Sequence, residues 1–357
     1  RDRANDEQGS ANIVINVTAI NDVPIATLDA GSVTEDTTLS RNGNVLTNDN
    51  DVDASDTLTV SQVNGVAGNV GSSVAGSYGN LTLGSNGGYT YNLTNGDAAV
   101  QGLQAGQSLS DGFTYQVSDG NGGFDTETLT ITIYGTDDAP TIDLDANDSA
   151  ATGNNYATTF TEDGAAVAIA DVDSLIADVD SSLLSTATIT LTNAQTSDLL
   201  SLIGTLPAGI SIDAASTATN IILVGSASLA DYQTAIEAIG FSNGSQNPST
   251  SNRLIDVQVT DDTGLTSNVA TTTIAVVALN DAPTAADAAY IISENGTLSS
   301  NAISENTGSG ADSDPESDPL NVTLVNGAGF TAGVPFALPS GAQLTMNADG
   351  TYSYDPN

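Results

Sequence analysis

The sequence contains no cysteine, histidine, lysine or tryptophan, and the first three absences each remove a class of site. Without cysteine there is no disulfide and no thiolate site. Without histidine the usual general base and most zinc and copper sites are missing. Only four arginines face 44 acidic residues, and the net charge is -40. Nucleic acids and anionic membrane surfaces are bound through clustered Lys and Arg, so this composition argues against both partners.

Carboxylates are what the chain has in abundance. An acidic chain without histidine or cysteine points to hard cations with oxygen ligands, such as calcium. The apolar residues recur periodically, which favours folded structure over disorder. No apolar run is long enough to span a bilayer, and any export signal is expected to lie outside this segment.

A short acidic motif ending in proline occurs three times, as "NDVP" (21–24), "DDAP" (137–140) and "NDAP" (280–283). The prolines are 116 and 143 residues apart, and each interval suits one β-sandwich domain. The runs "NIVINVTAI", "LTITIYGT" and "TTTIAVVAL" precede the motifs and are predicted to be equivalent last strands. The predicted division is the last strand and linker of a preceding module (1–22), a complete β-sandwich (23–138), a longer β-sandwich with a short helix near 228–240 (139–281), and a truncated third module (282–357).

Further correspondences support the repeat. "LTLGSNGGYTYNL" (81–93) matches "LTMNADGTYSYDP" (344–356), and alternating apolar residues around a glycine-containing turn predict a hairpin in both. "FTYQVSDGNGG" and "LIDVQVTDDTG" share a V-x-D ending that places Asp119 and Asp261 at equivalent strand ends. "SLADYQTAIEAIGF" has apolar residues at helical spacing, which predicts a short helix packed on the second sandwich.

The acids concentrate in three places in each module: the linker motif, an early glutamate that Asp36 and Asp163 follow in the two complete modules, and a later D-x-D run. Carboxylates this close repel one another, so a fold that gathers them normally needs a cation. The alternative is that Asp and Asn serve as turn residues in surface loops. "DNDVDASDTLTV" is not an EF-hand, since Ala54 and Val60 replace the required Gly and Glu. Nucleophile-elbow and P-loop motifs are absent from the sequence.

With these motifs in order, the sequence resembles cadherin repeats and, more closely, the bacterial cadherin-like modules called VCBS repeats. The resemblance implies an all-β chain of tandem cadherin/Ig-like Greek-key β-sandwich modules in a linear array. It also implies calcium at the junctions between successive modules. The cadherin D-R-E motif is missing, and Asp111 is only its positional stand-in. A second D-x-D run, Asp178 and Asp180, competes with the one at Asp171 and Asp173.

Carried over by position, the resemblance implies three groups of calcium ligands. Near Pro24 they are Asn21, Asp22, Asp51, Asp53 and Asp119. Near Pro140 they are Glu35, Asp36, Asp111, Asp137, Asp138, Asp171, Asp173 and Asp261. Near Pro283 they are Glu162, Asp163, Asn280, Asp281, Asp312 and Asp314.

The expected function is a non-enzymatic stalk segment of a large extracellular bacterial adhesin, at the cell surface or secreted, serving adhesion or biofilm attachment. Calcium and the neighbouring modules of the same longer chain are the expected partners, with no nucleic acid and no membrane insertion in this segment. Two alternatives stay open: a carbohydrate- or protein-binding module in the second domain, and an accessory stalk of an extracellular enzyme. The extra residues and the helix of the second domain are what favour the binding module.

Overall fold

The structure is a computed structural model that describes residues 11–18 and 20–356, and strands dominate these residues. The chain forms two compact units. The first comprises the residues up to Asp138 together with Asp178–Ser181. The second comprises Ala139–Ala177 and the residues from Ser182 onward. The predicted all-β class is confirmed.

The first unit contains a sandwich of two four-stranded sheets. Its elements are β1 (Asp29–Thr34), β2 (Ser40–Asn44), β3 (Thr59–Val63), β4 (Ser73–Ala75), β5 (Gly79–Leu83), β6 (Gly88–Leu93), α1 (Ala98–Gln101), β7 (Ser108–Ser118) and β8 (Phe124–Tyr134). The sheet orders are β1-β8-β7-β3 and β2-β6-β5-β4. β1 pairs with β8 in parallel, whereas β7 and β8 form an antiparallel hairpin.

Alternation along the strands builds the core of this sandwich. Every second residue of β5 is buried, and so is every second residue of β7 from Asp111 to Val117, as a two-residue period requires. The ring of Tyr91 meets that of Phe113 edge to face, with centroids 6.1 Å apart. Burying one large apolar side chain contributes about 1.5–3 kcal/mol, so this core fixes the register of both sheets.

The second unit begins with a longer sandwich. Its elements are β9 (Thr141–Asp143), β10 (Tyr156–Thr161), β11 (Val167–Ala168), β12 (Leu175–Ala177), β13 (Leu183–Leu191), β14 (Asp198–Leu202), β15 (Ser211–Ile212), β16 (Asn220–Ser228), α2 (Leu229–Glu237), β17 (Ile239–Asn243), β18 (Arg253–Asp261) and β19 (Ala270–Val277). The sheet orders are β10-β19-β18-β13-β16-β15, β11-β17-β14 and β12-β9. β10 pairs with β19 in parallel, as β1 does with β8.

Helix α2 confirms the predicted helix. The Ser228 hydroxyl caps its first turn by accepting the backbone N–H of Asp231. Tyr232, Ala235 and Ile236 are buried in the core of the second sandwich. The apolar face of the helix is therefore used for packing inside the domain.

A third sheet forms from β20 (Leu298–Asn301), β21 (Phe336–Ala337), β22 (Gln343–Met346) and β23 (Thr351–Asp355), in the order β20-β23-β22-β21. It repeats the sheet β2-β6-β5-β4 of the first sandwich strand for strand. Leu344 lies opposite Tyr354 as Leu81 lies opposite Tyr91. Both hairpins turn through a glycine at positive φ (Gly87 and Gly350). The predicted hairpins are confirmed.

The strand predicted at the start of the sequence is not formed by the residues that the structure describes there. Residues 11–18 lie in no strand and are exposed, and Ala19 and residues 1–10 lie outside the described part. The prediction of a preceding module is untested and stays a prediction.

Candidate metal centres

A recurring hydrogen-bond arrangement follows each linker motif. The backbone N–H of the linker aspartate donates to the carboxylate of an acid 31 to 42 residues further along the chain, and the N–H of that acid donates to the carboxylate two residues before it. The first bonds are Asp22 to Asp53 (2.8 Å), Asp138 to Asp180 (3.1 Å) and Asp281 to Glu316 (3.2 Å). The second are Asp53 to Asp51 (2.8 Å), Asp180 to Asp178 (3.2 Å) and Glu316 to Asp314 (3.0 Å).

Backbone pairing brings each acidic loop to its linker. Ile25 forms a β-bridge with Asn50, and Thr284 forms one with Ser313. In the second sandwich, β9 and β12 make the same connection. In each case the D-x-D or D-x-E run begins directly after the residue that pairs with the segment behind the linker. The run must therefore lie against the linker. Aspartates in such loops bond the N–H two residues on, which orients their carboxylates.

Each early glutamate contacts the linker at the end of its own module, which it precedes in the sequence, whereas the acidic runs follow their linkers. One carboxylate oxygen of Glu35 accepts the N–H of Thr136 at 2.7 Å, and one of Glu162 accepts that of Leu279 at 2.6 Å. Both side chains are buried. The second oxygen of each has no donor.

The Asp22 cluster consists of the linker residue, Asp51, Asp53, Asp56 and Asp119. Oxygens of Asp51, Asp56 and Asp119 lie within 4.8 Å of one another. The amide of the neighbouring Asn21 donates to Asp119 at 2.8 Å, and this hydrogen bond, opposed by burial and assisted by backbone N–H groups, lowers the pKa of Asp119. A cavity of about 180 Å³ adjoins Asp53 and Asp56.

The Asp138 cluster gathers Glu35, Asp36, Asp138, Asp178 and Asp180, all in the first unit. Burial raises the pKa of Asp138, and the carboxylate of Asp36 raises it further. Burial, a hydrogen bond with Asp178 and the charge of Asp138 raise the pKa of Asp180 to about 6. These shifts mean that burial, and after it the mutual repulsion of the carboxylates, opposes ionisation of Asp138 and Asp180.

The Asp281 cluster consists of Glu162, Asp281 and Glu316, whose oxygens lie within 4.8 Å of one another. Glu162 extends from the end of β10, and Glu316 comes from the loop after the Thr284–Ser313 bridge. Asn280 does not share a bond with these carboxylates, since its amide donates to the backbone carbonyl of Asp281.

Buried carboxylate oxygens without a donor occur in all three clusters. They are Asp51 Oδ2 and Asp56 Oδ2; Glu35 Oε2, Asp138 Oδ2 and Asp178 Oδ2; and Glu162 Oε1, Asp281 Oδ2 and Glu316 Oε1. A buried acceptor without a donor is costly, and ionised carboxylates cannot donate to one another. A cation would satisfy these oxygens at once. Calcium fits this donor set, because it takes six to eight oxygen ligands in flexible geometry.

The structure does not bring every predicted ligand to a cluster. Asp171 and Asp173 meet Asp145 instead of the linker, so the competing run Asp178 and Asp180 occupies the predicted position. Asp145 is buried, and hydrogen bonds from the N–H groups of Ser149–Ala151 outweigh its burial and lower its pKa.

Four other predicted ligands have protein donors of their own. Asp312 accepts the N–H of Ala286, Asp163 accepts the amide of Gln246, and Asp137 accepts the N–H of Ala105. Asp261 binds the loop N–H groups of Thr263, Gly264 and Leu265 through Oδ1, while its buried Oδ2 has no donor.

Asp111 was predicted as a ligand, but its hydrogen bonds give it a structural position. Its carboxylate is buried and accepts the N–H groups of Ser77 (2.7 Å) and Tyr78 (3.0 Å) and the hydroxyl of Tyr91 (2.9 Å). An aspartate at this position therefore anchors a loop to the core.

We expect Asp111→Asn to destabilise the first sandwich by about 1–3 kcal/mol, because an amide cannot accept all three donors. Calcium uptake is expected to stay unchanged. Asp178→Asn is the matched control and is expected to give the opposite pattern. Thermal unfolding and calcium titration of both variants check this, and a loss of calcium in Asp111→Asn would return Asp111 to the ligand set.

Sequence reasoning missed Asp56 and Glu316, whose carboxylate oxygens lie in the Asp22 and Asp281 clusters. Glu316 could have been found from the repeat, because it lies two residues after Asp314, as Asp53 follows Asp51. Asp56 carried no such signal, since the turn that brings it to Asp119 depends on the fold.

The raised pKa values of Glu35, Asp138 and Asp180 predict an inverted pH dependence without calcium. A raised folded-state pKa contributes stability that is complete at low pH and lost as pH rises through the folded value. For Asp180 that loss lies between its ordinary 3.8 and about 6. In chelator, the unfolding temperature of the first sandwich is expected to fall from about pH 4 to about pH 6. Asp180→Asn should flatten this slope, and a flat wild-type profile would contradict the prediction.

Two protein-family models match parts of this chain. The family model for the bacterial cadherin-like domain matches residues 21–135, which hold the Asp22 cluster and Glu35. Residues 21–135 are thus similar to a bacterial cadherin-like domain. The family model for the bacterial Ig domain matches residues 280–357. The predicted resemblance to bacterial cadherin-like repeats is confirmed, while the narrower VCBS assignment stays a prediction.

Solved structures similar to this chain include cadherin ectodomains. The protocadherin gammaB7 EC3-6 cis-dimer structure has a TM-score of 0.40 and 14% identity, covering 94% of this chain and 66% of that one. Protocadherin gamma B2 extracellular cadherin domains 1-5 have a TM-score of 0.38 and 17% identity, covering 95% and 54%. Human CDH23 EC21-23 has a TM-score of 0.34 and 11% identity, covering 94% and 90%. The chain thus spans less than two thirds of the first two. No curated protein sequence matches.

Bacterial cadherin-like and Ig domains are typically extracellular, adhesion-type modules and are generally not enzymes. Cadherin domains generally bind Ca²⁺. Within the described residues, none of the helices has the length and apolarity needed to cross a bilayer.

Proposed function

We propose that this chain is a non-enzymatic stalk segment of a large extracellular bacterial adhesin, stiffened by calcium. The observation that carries the proposal is the recurrence of one arrangement at three linkers, each with buried carboxylate oxygens that lack a donor. A chance cluster of surface acids would not repeat the same two hydrogen bonds.

Calcium is favoured over other cations by the donor chemistry. The described clusters offer carboxylates and, at the Asp22 cluster, the Asn21 amide. Zinc and copper sites prefer histidine or cysteine, which the sequence lacks. Magnesium demands near-ideal octahedral geometry and keeps several waters, whereas calcium accepts irregular sets of carboxylates. The low free calcium inside cells also favours an extracellular setting for sites of moderate affinity.

The stiffening of the chain by calcium is proposed from the position of the loop Asp178–Ser181, which supplies two acids of the Asp138 cluster. Asp178–Ser181 belongs to the first unit, although the chain on either side of this loop belongs to the second. A cation shared by Asp138, Asp178 and Asp180 would hold the loop to the first unit and cancel the repulsion among its carboxylates. Its removal would free the loop, so calcium would control flexibility at this position.

The alternative of a binding module in the second domain loses its main support. Helix α2, the feature that favoured it, buries its apolar residues in its own domain.

For catalysis, the acids would have to act as carboxylate pairs, as in glycosidases. The acids of the Asp22, Asp138 and Asp281 clusters lie at the linkers.

Calcium titration by calorimetry, combined with small-angle X-ray scattering in calcium and in chelator, tests the proposal. We expect calcium uptake with little response to magnesium, and a scattering profile that changes from a stiff particle to a broad distribution of dimensions in chelator. The double variant Asp178→Asn/Asp180→Asn should lose uptake at one cluster and scatter in calcium more like the chelated protein. No calcium uptake, or identical profiles in both conditions, would refute the calcium-stiffened stalk.

A further inference from the structure

One face of the first sandwich is free of charge in a chain with 44 acidic residues. Strand β8 buries Leu129, Ile131 and Ile133, so its even-numbered residues point away from the core. The strand pairing places the even-numbered residues of β1 and β7 on the same outer side. We call the even-numbered residues of β1, β7 and β8 the neutral face, and these strands, which the structure describes completely, place no charged residue on it. Their four acids occupy inward positions: Asp29, Asp111, Asp125 and Glu127.

Two aromatic side chains stand at opposite ends of the neutral face. Phe124 is the first residue of β8 and Tyr134 is the last, and they are 51% and 47% exposed. At about 3.3 Å per residue, the ten residues between these positions span roughly 33 Å along the strand. The outward positions between the two rings are all occupied by threonine: Thr126, Thr128, Thr130 and Thr132.

Small residues keep the middle of the neutral face shallow. The cross-strand row through Thr130 has Ala30 on one side and Gly112 on the other. A Cβ atom added at Gly112 would meet Thr128 Cγ2 at 3.9 Å, an ordinary contact distance, so the space in front of Gly112 is open. The neutral face is therefore a shallow trough with hydroxyl groups along its floor and an aromatic ring at each end.

Charge and shape together select the kind of partner that this face fits. Polymers that carry carboxylate or phosphate groups are bound through Arg and Lys, and the neutral face has neither. Protein partners are held by aromatic anchors near the centre of an interface, whereas here the rings stand at the ends. A neutral polysaccharide suits both features, because its hydroxyl groups exchange hydrogen bonds with threonine and the apolar faces of its sugar rings stack on aromatic side chains.

We propose that the neutral face binds a neutral, extended polysaccharide that lies along β8, with sugar rings on Phe124 and Tyr134 and hydroxyl groups on the threonines between them. A straight row of this length suits an extended polymer and not a coiled one. The proposal goes beyond the stalk function and does not rest on it.

The second sandwich provides an internal comparison. Thr161 pairs with Val277 as Thr34 pairs with Tyr134, so Val277 stands where the first sandwich has an aromatic ring. The outward positions of β19 carry no aromatic residue, and Asp256 lies on the outer side of the neighbouring strand β18. The equivalent face of the second sandwich is therefore not expected to bind the same polymer.

Affinity electrophoresis of the chain tests the proposal, in native gels that contain glucomannan or hydroxyethylcellulose, with carboxymethylcellulose as the anionic counterpart. We expect retardation by at least one neutral polymer and none by carboxymethylcellulose. Phe124→Ala and Tyr134→Ala are each expected to weaken binding by about tenfold, the effect of losing one aromatic anchor. Thr130→Asp, which places a charge in the middle of the trough, is expected to abolish it. Thermal unfolding shows whether each variant is folded, and the two alanine variants decide the matter if Thr130→Asp is not.

Val277→Ala and Thr273→Asp are the matched controls, because they change the corresponding positions of the second sandwich and should leave binding intact. Passage of the wild-type chain through both neutral gels without retardation would overturn the proposal. So would binding that survives both alanine variants, or equal retardation in carboxymethylcellulose. Self-association that Tyr134→Ala abolishes, without retardation by any polymer, would assign the face to a second copy instead.

Measurements in chelator separate this proposal from the calcium-stiffened stalk. Retardation that persists in a chain without calcium uptake would leave the polysaccharide face standing and refute the stalk. Loss of retardation in the alanine variants is expected to leave calcium uptake unchanged, because the neutral face contains none of the acids of the three clusters.

Discussion

In chelator, Glu162→Gln is expected to unfold at a higher temperature than the wild-type chain, and in calcium at a lower one. The crossing follows from the Asp281 cluster. Glu162 is buried, its Oε1 has no donor, and it lies within 4.8 Å of carboxylate oxygens of Asp281 and Glu316. Without a cation, three carboxylates repel one another, and glutamine removes one charge and supplies an N–H donor.

The glutamine preserves the rest of the local structure. Its carbonyl oxygen can still accept the N–H of Leu279, which donates to Glu162 at 2.6 Å. Its amide can donate to the oxygens of Asp281 or Glu316 that have no donor. A hydrogen bond to a charged group contributes about 1.5–3 kcal/mol, which sets the scale of the gain in chelator.

In the proposed calcium site Glu162→Gln removes a charged ligand, so calcium is expected to reverse the order of the two unfolding temperatures. A ligand present at about 100 times its dissociation constant stabilises the folded state by about 2.7 kcal/mol, and a site that no longer binds forfeits that amount. Unfolding of the second unit, followed by calorimetry in both conditions, measures the two differences.

Asp287→Asn is the matched control, because it removes one exposed negative charge from the same unit without touching the cluster. Asp287→Asn should change the unfolding temperature slightly, and in the same direction in calcium and in chelator. If Glu162→Gln is less stable than the wild type in chelator as well, Glu162 stabilises the fold as an acid in its own right and the Asp281 cluster is not a cation site.

The sequence was sufficient for the strand pattern because the repeats confirm one another. Two-residue alternation in "FTYQVSDGNGG" and the glycine turn at Gly87 each give a weak signal, but their recurrence fixes both hairpins and the last strands β8 and β19. The parallel pairing of β1 with β8 could not be read in this way. It depends on the chain crossing the whole sandwich, which no local pattern records.

The residues of the candidate sites could be predicted where a linker motif marks their position in the sequence. Asp22, Asp138 and Asp281 were found because proline marks their positions, and Glu35 and Glu162 because each is followed by an Asp soon after a linker motif. The choice of Asp178 over Asp171 was not predictable by counting. It depends on β12 pairing with β9, which delivers the residue after Ala177 to the linker. Asp111 stays a predicted ligand, although its carboxylate accepts two backbone N–H groups and so has partners without a cation.

Arg253→Met is expected to lower the stability of the second sandwich by about 3–5 kcal/mol, the cost of breaking a buried ion pair by removing one partner. Arg253 is fully buried, and its Nε donates to Asp198 Oδ2 at 2.7 Å. Asn243 and the N–H of Gln195 also donate to Asp198, at 2.7 Å each. These neutral donors do not compensate a buried carboxylate for the loss of a guanidinium.

The shift in unfolding temperature should be about 10 °C, at about 2–4 °C for each kcal/mol in a domain of this size. Arg41→Met is the matched control, since Arg41 is exposed and the same substitution there should change the temperature little. Adding Asp198→Leu to Arg253→Met should recover much of the loss, because replacing both charges by apolar groups removes the uncompensated carboxylate. A double variant as unstable as the single one would show that Arg253 stabilises the sandwich mainly through its bonds to the carbonyls of Ser249 and Ser251, which methionine cannot replace.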